Sequence, residues 1–144
     1  MKSNVNMLVV QKIVVGGVVI RAGKALILQR SPDEKIYPGL WELPSGKREI
    51  QEQTLKALKR EILEETGLQV KSQKLLSVFD YKIKKPNEIR DSVQVNFLVR
   101  VKPGSVQVSH EHTNFAWVDL KSYKNYPMTK PVARAIRLAL EKGK

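Results

Sequence analysis

Residues 46–68 read GKREIQEQTLKALKREILEETGL, from Gly46 to Leu68. Leu55, Leu58 and Ile62 recur at steps of three and four between Thr54 and Thr66, the stripe of an amphipathic helix, and Gly67 follows as a natural stop. On that helix Glu61 and Glu65 are one turn apart and Glu64 lies three residues after Glu61, so three carboxylates crowd neighbouring positions. Each like-charged pair costs roughly a few tenths of a kcal/mol on an exposed helix, and the negative end of the helix dipole adds to that cost at Glu64 and Glu65. Arg60 can pair with Glu64, yet one guanidinium does not neutralise three carboxylates together with Glu52 upstream. A divalent cation does. Oxygen ligands without histidine or cysteine suit magnesium, manganese or calcium. An acidic helix is more often a solvated face, so three glutamates alone do not decide between the two.

Ahead of the helix, Lys12–Ile20 and Ala25–Gln29 are rich in β-branched residues and read as two strands, joined through Arg21, Ala22, Gly23 and Lys24 as a hairpin. From Ser31 to Gly46, Pro32, Pro38, Gly39, Pro44 and Gly46 leave only a loop, with a short strand at Leu40–Leu43. Behind the helix, Gln69–Lys84 is extended, Lys84–Asp91 is a polar connection holding Pro86 and Asn87, and Val93 to Val101 alternates with a period of two. Phe115–Leu120 makes a last strand, and Pro131 opens a helix with Val132, Ile136, Ala139 and Leu140 on one face. Strands and helices in this order predict a single α/β or α+β domain, with helices packed on a mixed sheet.

The 144 residues suit one domain, and 42% hydrophobic with 28% charged residues excludes wholesale disorder. The absence of cysteine excludes disulfides and thiolate chemistry. The longest apolar run, Ile13–Ile20, has eight residues against the roughly 20 of a membrane span, so no membrane partner is expected. Lys2 ahead of an apolar segment mimics a leader, but Gln11 and Lys12 interrupt it and no small-residue cleavage pattern follows; a cytoplasmic protein is expected. The net charge of +12 draws anions. Yet Glu49–Glu65 carries five of the 14 acids and a net charge of −2, so a basic chain has concentrated its negative charge in one place.

This segment resembles the signature of the Nudix hydrolases: a glycine, five residues, a glutamate, seven residues, then Arg-Glu-apolar-any-Glu-Glu-any-Gly-apolar. Gly46, Glu52, Arg60, Glu61, Ile62, Glu64, Glu65, Gly67 and Leu68 fill every specified position. The preceding ALILQRS and GLWELPSGK, and the later EHTNFAWVDL, are similar to the family as well, so the likeness runs from Val14 to about Leu120. Two positions depart from it: Ser45 stands where many relatives have the first of two glycines, and Gln51 where a glycine is frequent. The resemblance implies an α/β/α sandwich with a mixed β-sheet and a catalytic loop–helix.

It also implies roles. Glu61, Glu64 and Glu65 become the core ligands of Mg2+ (or Mn2+), with Gly46 in the same metal set and Glu52 supporting a further ion or its waters. Arg60 holds a neighbouring carboxylate. The general base is either a helix glutamate or one on a later loop, for which Glu111 is the candidate; its neighbours His110 and His112 are expected at the surface. Arg30 is a candidate for contact to phosphate or base, Lys47 and Arg48 for attracting the substrate's phosphates, and Phe79, Tyr81 and Trp117 for stacking on a base, while Trp41 and Phe97, and more commonly Trp117 too, are expected to fill core.

The family shares hydrolysis of a nucleoside diphosphate linked to another group. Some ADP-ribose hydrolases carry a proline about 15 residues past the box and dinucleoside polyphosphate hydrolases a tyrosine at similar range; Lys82–Lys84 occupy that place here, with Tyr81 and Pro86 to either side. The expectation is therefore a MutT-like enzyme that splits a (d)NTP into monophosphate and pyrophosphate, with a small-molecule nucleotide as partner, acting as a monomer or homodimer. The rival class is a nucleic-acid-binding module, suggested by the charge. It lacks a helix-turn-helix or an aromatic-basic motif, and its strongest helix has the wrong sign for phosphates.

Overall fold

The computed structural model describes residues 7–143; Lys2, weighed above as part of a leader, lies outside them. The strands are β1 (Leu8–Arg21), β2 (Lys24–Arg30), β3 (Trp41–Glu42), β4 (Ser45–Lys47), β5 (Val70–Lys85), β6 (Glu88–Val101) and β7 (His112–Val118), and the helices are α1 (Thr54–Thr66) and α2 (Lys130–Lys142). They form a mixed seven-stranded sheet. β1 runs parallel to β6 from Leu8↔Glu88 to Val19↔Val99 and antiparallel to β4, and β5 closes the edge as the antiparallel partner of β6. β2 pairs with the end of β1, with β3 and with β7.

The apolar run of β1 is explained by its position. Val15 and Val19 pack with Leu58 and Ile62 of α1, while Val18 and Ile20 pack with Ile136, Ala139 and Leu140 of α2. A strand covered on both faces cannot alternate apolar with polar, so it reads as a continuous hydrophobic stretch. β2 repeats the pattern, with Leu26 and Leu28 toward α1 and Ala25 and Ile27 toward α2. The expected sandwich of helices about a mixed sheet is what the chain adopts. Gly17 lets α1 approach closely, since a Cβ there would stand 2.8 Å from Ile62 Cδ1 and 3.0 Å from Val99 Cγ2.

Several boundaries differ from the expectation. β1 begins at Leu8, and Gln11 and Lys12 do not interrupt it, because the parallel ladder to β6 supplies backbone partners whatever the side chains. The polar connection Lys84–Asp91 shrinks to Pro86 and Asn87, with β5 and β6 pairing up to Lys85↔Glu88. Exposed polar strand ends carry no period-two signal. The hairpin of β1 and β2 turns on Ala22 and Gly23, at φ 52° and 76°, the pair of left-handed residues that a tight two-residue turn requires. No helix of the described residues is long and apolar enough to cross a membrane.

Candidate active site

α1 places the acids. Its stripe of Ala57, Leu58 and Ile62 is buried against the sheet, and it ends where Gly67, at φ 75°, donates its N–H to Leu63 O at 2.9 Å. Glu61 and Glu65 lie beside that stripe and are only 8% and 7% exposed, whereas the Glu64 side chain is 57% exposed. β4 crosses in front of them. Ser45 N donates to Glu65 Oε1 at 2.8 Å, and a Cβ on Gly46 would fall on the Glu61 carboxyl group. The departure at Ser45 is therefore harmless, since that residue is not among the left-handed ones. Gln51, at φ 67°, is, which accounts for the glycine frequent at its place.

Arg60 is the hub of the acids. Its Nε and one terminal nitrogen donate to both oxygens of Glu52 at 2.8 and 2.9 Å, and its other terminal nitrogen reaches Glu61 at 3.1 Å and Glu64 at 3.3 Å. It also donates to Lys47 O at 3.1 Å, tying β4 to the helix. The hydrogen bonds from Arg60 hold the Glu52 carboxyl down at about 2, and those from Glu52 push the guanidinium up. Arg60 does not reach Glu65. Burial pushes the Glu65 carboxyl up to about 9 and also raises Glu61, with the Arg60 charge opposing the latter.

We expect Arg60→Lys to keep the charge but lose the two-pronged grip, lowering stability in urea unfolding. Because Glu52 titrates near 2 rather than 4.5, its contribution is present above pH 4.5 and lost as pH falls toward 2. That acid limb should flatten in Arg60→Lys; an unchanged limb would show that Arg60 does not hold Glu52.

The acids open onto a cavity of about 880 Å3. Of the residues singled out from sequence, Arg30, Gly46, Lys47, Arg48, Glu61, Glu65, Phe79, Tyr81 and Glu111 line it. Glu111, 46 residues beyond Glu65 in the chain, is carried there by the loop ahead of β7, where its carbonyl accepts from Ser31 N at 3.0 Å. Its charge adds to the upward pressure on Glu61 and Glu65. Trp117 is not at the cavity; it packs on the α1 side with Arg21 stacked 5.2 Å from its ring. Trp41 is half-buried, edge-on to Tyr126 at 4.9 Å, and shows one side to the cavity, whereas Phe97 is core.

Arg30 is held by the protein itself. Its guanidinium donates to Ile36 O, Glu34 and Glu42 at 2.8, 2.9 and 3.1 Å, which braces the breaker-rich loop over the cavity. Glu42 also meets His112 Nε2 at 2.9 Å. His112 is buried, contrary to the surface position expected of it, because β7 begins there and pairs it with Arg30 of β2; His110 is exposed. Neither Glu42 nor His112 was legible as part of the site, since nothing in their spacing links them.

Among the described residues no three acidic or imidazole side chains are already gathered closely enough to hold a cation; Arg60 bridges three of the four glutamates instead. The donor set nevertheless fits a hard divalent ion. It is all oxygen, and Glu65 is a buried acid, bonded to one backbone N–H, that ionises at neutral pH only if a positive charge joins it.

Residues 10–139 match the model of the NUDIX domain family. A "MutT-like protein" of Streptomyces ambofaciens is 33% identical over 104 residues, covering 72% of this chain and 61% of that protein's length. A "CTP pyrophosphohydrolase" of Escherichia coli is 31% identical over 117 residues, 80% of this chain and 81% of the relative. The crystal structure of a MutT NUDIX hydrolase from Burkholderia pseudomallei superposes with a TM-score of 0.71 at 28% identity, covering 93% of this chain and 98% of that one. With the glutamate helix, the fold and the family match in agreement, the chain belongs to the Nudix hydrolases and acts on nucleotide pyrophosphate linkages.

Proposed function

We propose that this enzyme is a MutT-like pyrophosphohydrolase that splits a nucleoside triphosphate into the monophosphate and pyrophosphate. The observation that carries this reading is one cavity lined by acids, aromatic rings and cations together. Buried Glu61 and Glu65 stand beside Gly46, Phe79, Tyr81 and Trp41 offer aromatic surface, and Lys12, Lys47, Arg48 and Arg90 line the same space. A basic chain has therefore turned several of its cations toward an anionic small molecule. The name of the E. coli relative, a CTP pyrophosphohydrolase, points to the same substrate class.

Nudix hydrolases generally use a divalent metal, and Glu61, Glu64 and Glu65, with Gly46 and the supporting Glu52, are the residues that would hold Mg2+ or Mn2+ here. When bound, such an ion neutralises charge on the phosphates and lowers the pKa of a bound water. The chain's own contributions are separate. Arg60 orients Glu52, Glu61 and Glu64; Lys47 and Arg48 attract the polyphosphate; Glu111 or a helix glutamate accepts the proton of the attacking water.

Incubating the protein with a (d)NTP panel that includes oxidised purines, with Mg2+ or Mn2+, should give monophosphate and pyrophosphate by chromatography, and chelation should stop it. Cleavage of ADP-ribose or a dinucleoside polyphosphate with no (d)NTP turnover would sink the reading.

A further inference from the structure

β6 carries three buried polar side chains in alternation, Ser92, Gln94 and Asn96, at 4%, 6% and 0% exposure. They share the sheet face that carries Phe79 and Tyr81. Gln94 stands in one cross-strand row between Val14 of β1 and Phe79 of β5, and all three residues line the cavity. An amide at that depth among apolar neighbours is disfavoured unless its polar atoms are used.

Half of this amide is used. Gln94 Nε2 donates to Asn96 Oδ1 at 2.9 Å, and Asn96 Nδ2 donates in turn to Ser77 Oγ at 3.4 Å. Gly16 makes room for the pair, since a Cβ there would stand 2.6 Å from Gln94 Nε2 and 2.7 Å from Asn96 Oδ1. In this arrangement Gln94 turns Nε2 toward Asn96 and leaves Oε1 as the free end of the amide. Among the described residues Gln94 Oε1 accepts no hydrogen bond, and it is not sealed from the cavity. The site therefore holds an oriented, unused acceptor beside the Phe79 ring, whose centroid lies 6.0 Å from that of Tyr81.

We propose that Gln94 reads the nucleobase, its carbonyl accepting a hydrogen bond from an exocyclic amine, so that the enzyme selects cytosine and adenine over uracil and hypoxanthine. An amine donates to Oε1, whereas a keto oxygen at the same ring position sets acceptor against acceptor. The inference rests on the nucleotide reading above but does not depend on which bond is cut.

Calorimetric binding of CMP against UMP, and of AMP against IMP, tests it without turnover, because each pair exchanges an exocyclic amine for a keto oxygen, with a proton added on the adjacent ring nitrogen. CMP and AMP should bind about tenfold or more tighter than their partners. Gln94→Met, similar in volume and without hydrogen-bonding groups, should remove that preference by weakening CMP and AMP binding while weakening neither UMP nor IMP. Equal affinity within both pairs in the wild-type protein, or a Gln94→Met variant that keeps the preference or weakens both members alike, overturns the assignment. Absent (d)NTP hydrolysis alongside a clear CMP preference would refute the triphosphate reading and leave this one standing.

Discussion

Glu65→Gln is expected to reduce turnover roughly 100- to 1,000-fold while making the metal-free protein more stable. The two effects share one cause. Glu65 is a carboxyl group buried beside Ser45, titrating near 9 where an ordinary one titrates near 4.5. Below pH 4.5 it is neutral in both folded and unfolded chains, and its burial meets no electrostatic opposition. As pH rises toward 9, the unfolded chain releases a proton that the folded chain must keep, so metal-free stability falls across that window. Glutamine matches the neutral acid in shape and never ionises. Thermal melts in chelator between pH 4.5 and 9 should thus show a falling midpoint for the wild type and a flatter one for Glu65→Gln. Parallel slopes, or a variant retaining most of its activity, would show that this carboxylate is neither strained nor required.

Gly46→Ala should be the most damaging small substitution in the loop, lowering turnover by about 100-fold and stability by about 1 to 3 kcal/mol. The added methyl group would occupy the position of the Glu61 carboxyl. β4 cannot retreat, because Gly46 is paired with Val15 and Ser45 with Gly16 in the middle of β1. Glu61 must then leave, breaking its 3.1 Å contact with Arg60. A double-mutant cycle separates this from general loop damage: in a Glu61→Gln background, Gly46→Ala should cost much less activity than it does alone. Additive losses would place its effect elsewhere.

The helix was legible because its evidence is local, although Leu55, read as part of its apolar stripe, is exposed. A stripe at steps of three and four, a stop glycine and an acid spacing all lie within the 23 residues 46–68, and α1 spans the expected Thr54–Thr66. The covered strands were legible for the same reason, since burial on both faces of β1 leaves an apolar run. Polar strand ends were not. Gln11, Lys85 and Arg90 read as interruption or connection but belong to strands, because a ladder is held by backbone groups that side chains do not reveal. Gln94 and Asn96 read only as the polar half of an alternating strand, whereas both are buried and Gln94 lines the cavity.

By itself the sequence determined that three glutamates and one arginine sit at fixed offsets on a helix with a fourth glutamate just ahead of it, and with that the family and its class of reaction. Which of those acids is buried, that Arg60 grips three of them and leaves Glu65 alone, that Glu111, Gln94, Glu42 and Arg30 meet Glu61 and Glu65 around one cavity, and that His112 backs Glu42 were decided only in three dimensions. Offsets along a helix follow from its pitch and are written in the chain, but burial and the proximity of distant segments follow from how the sheet registers and closes, to which every strand contributes.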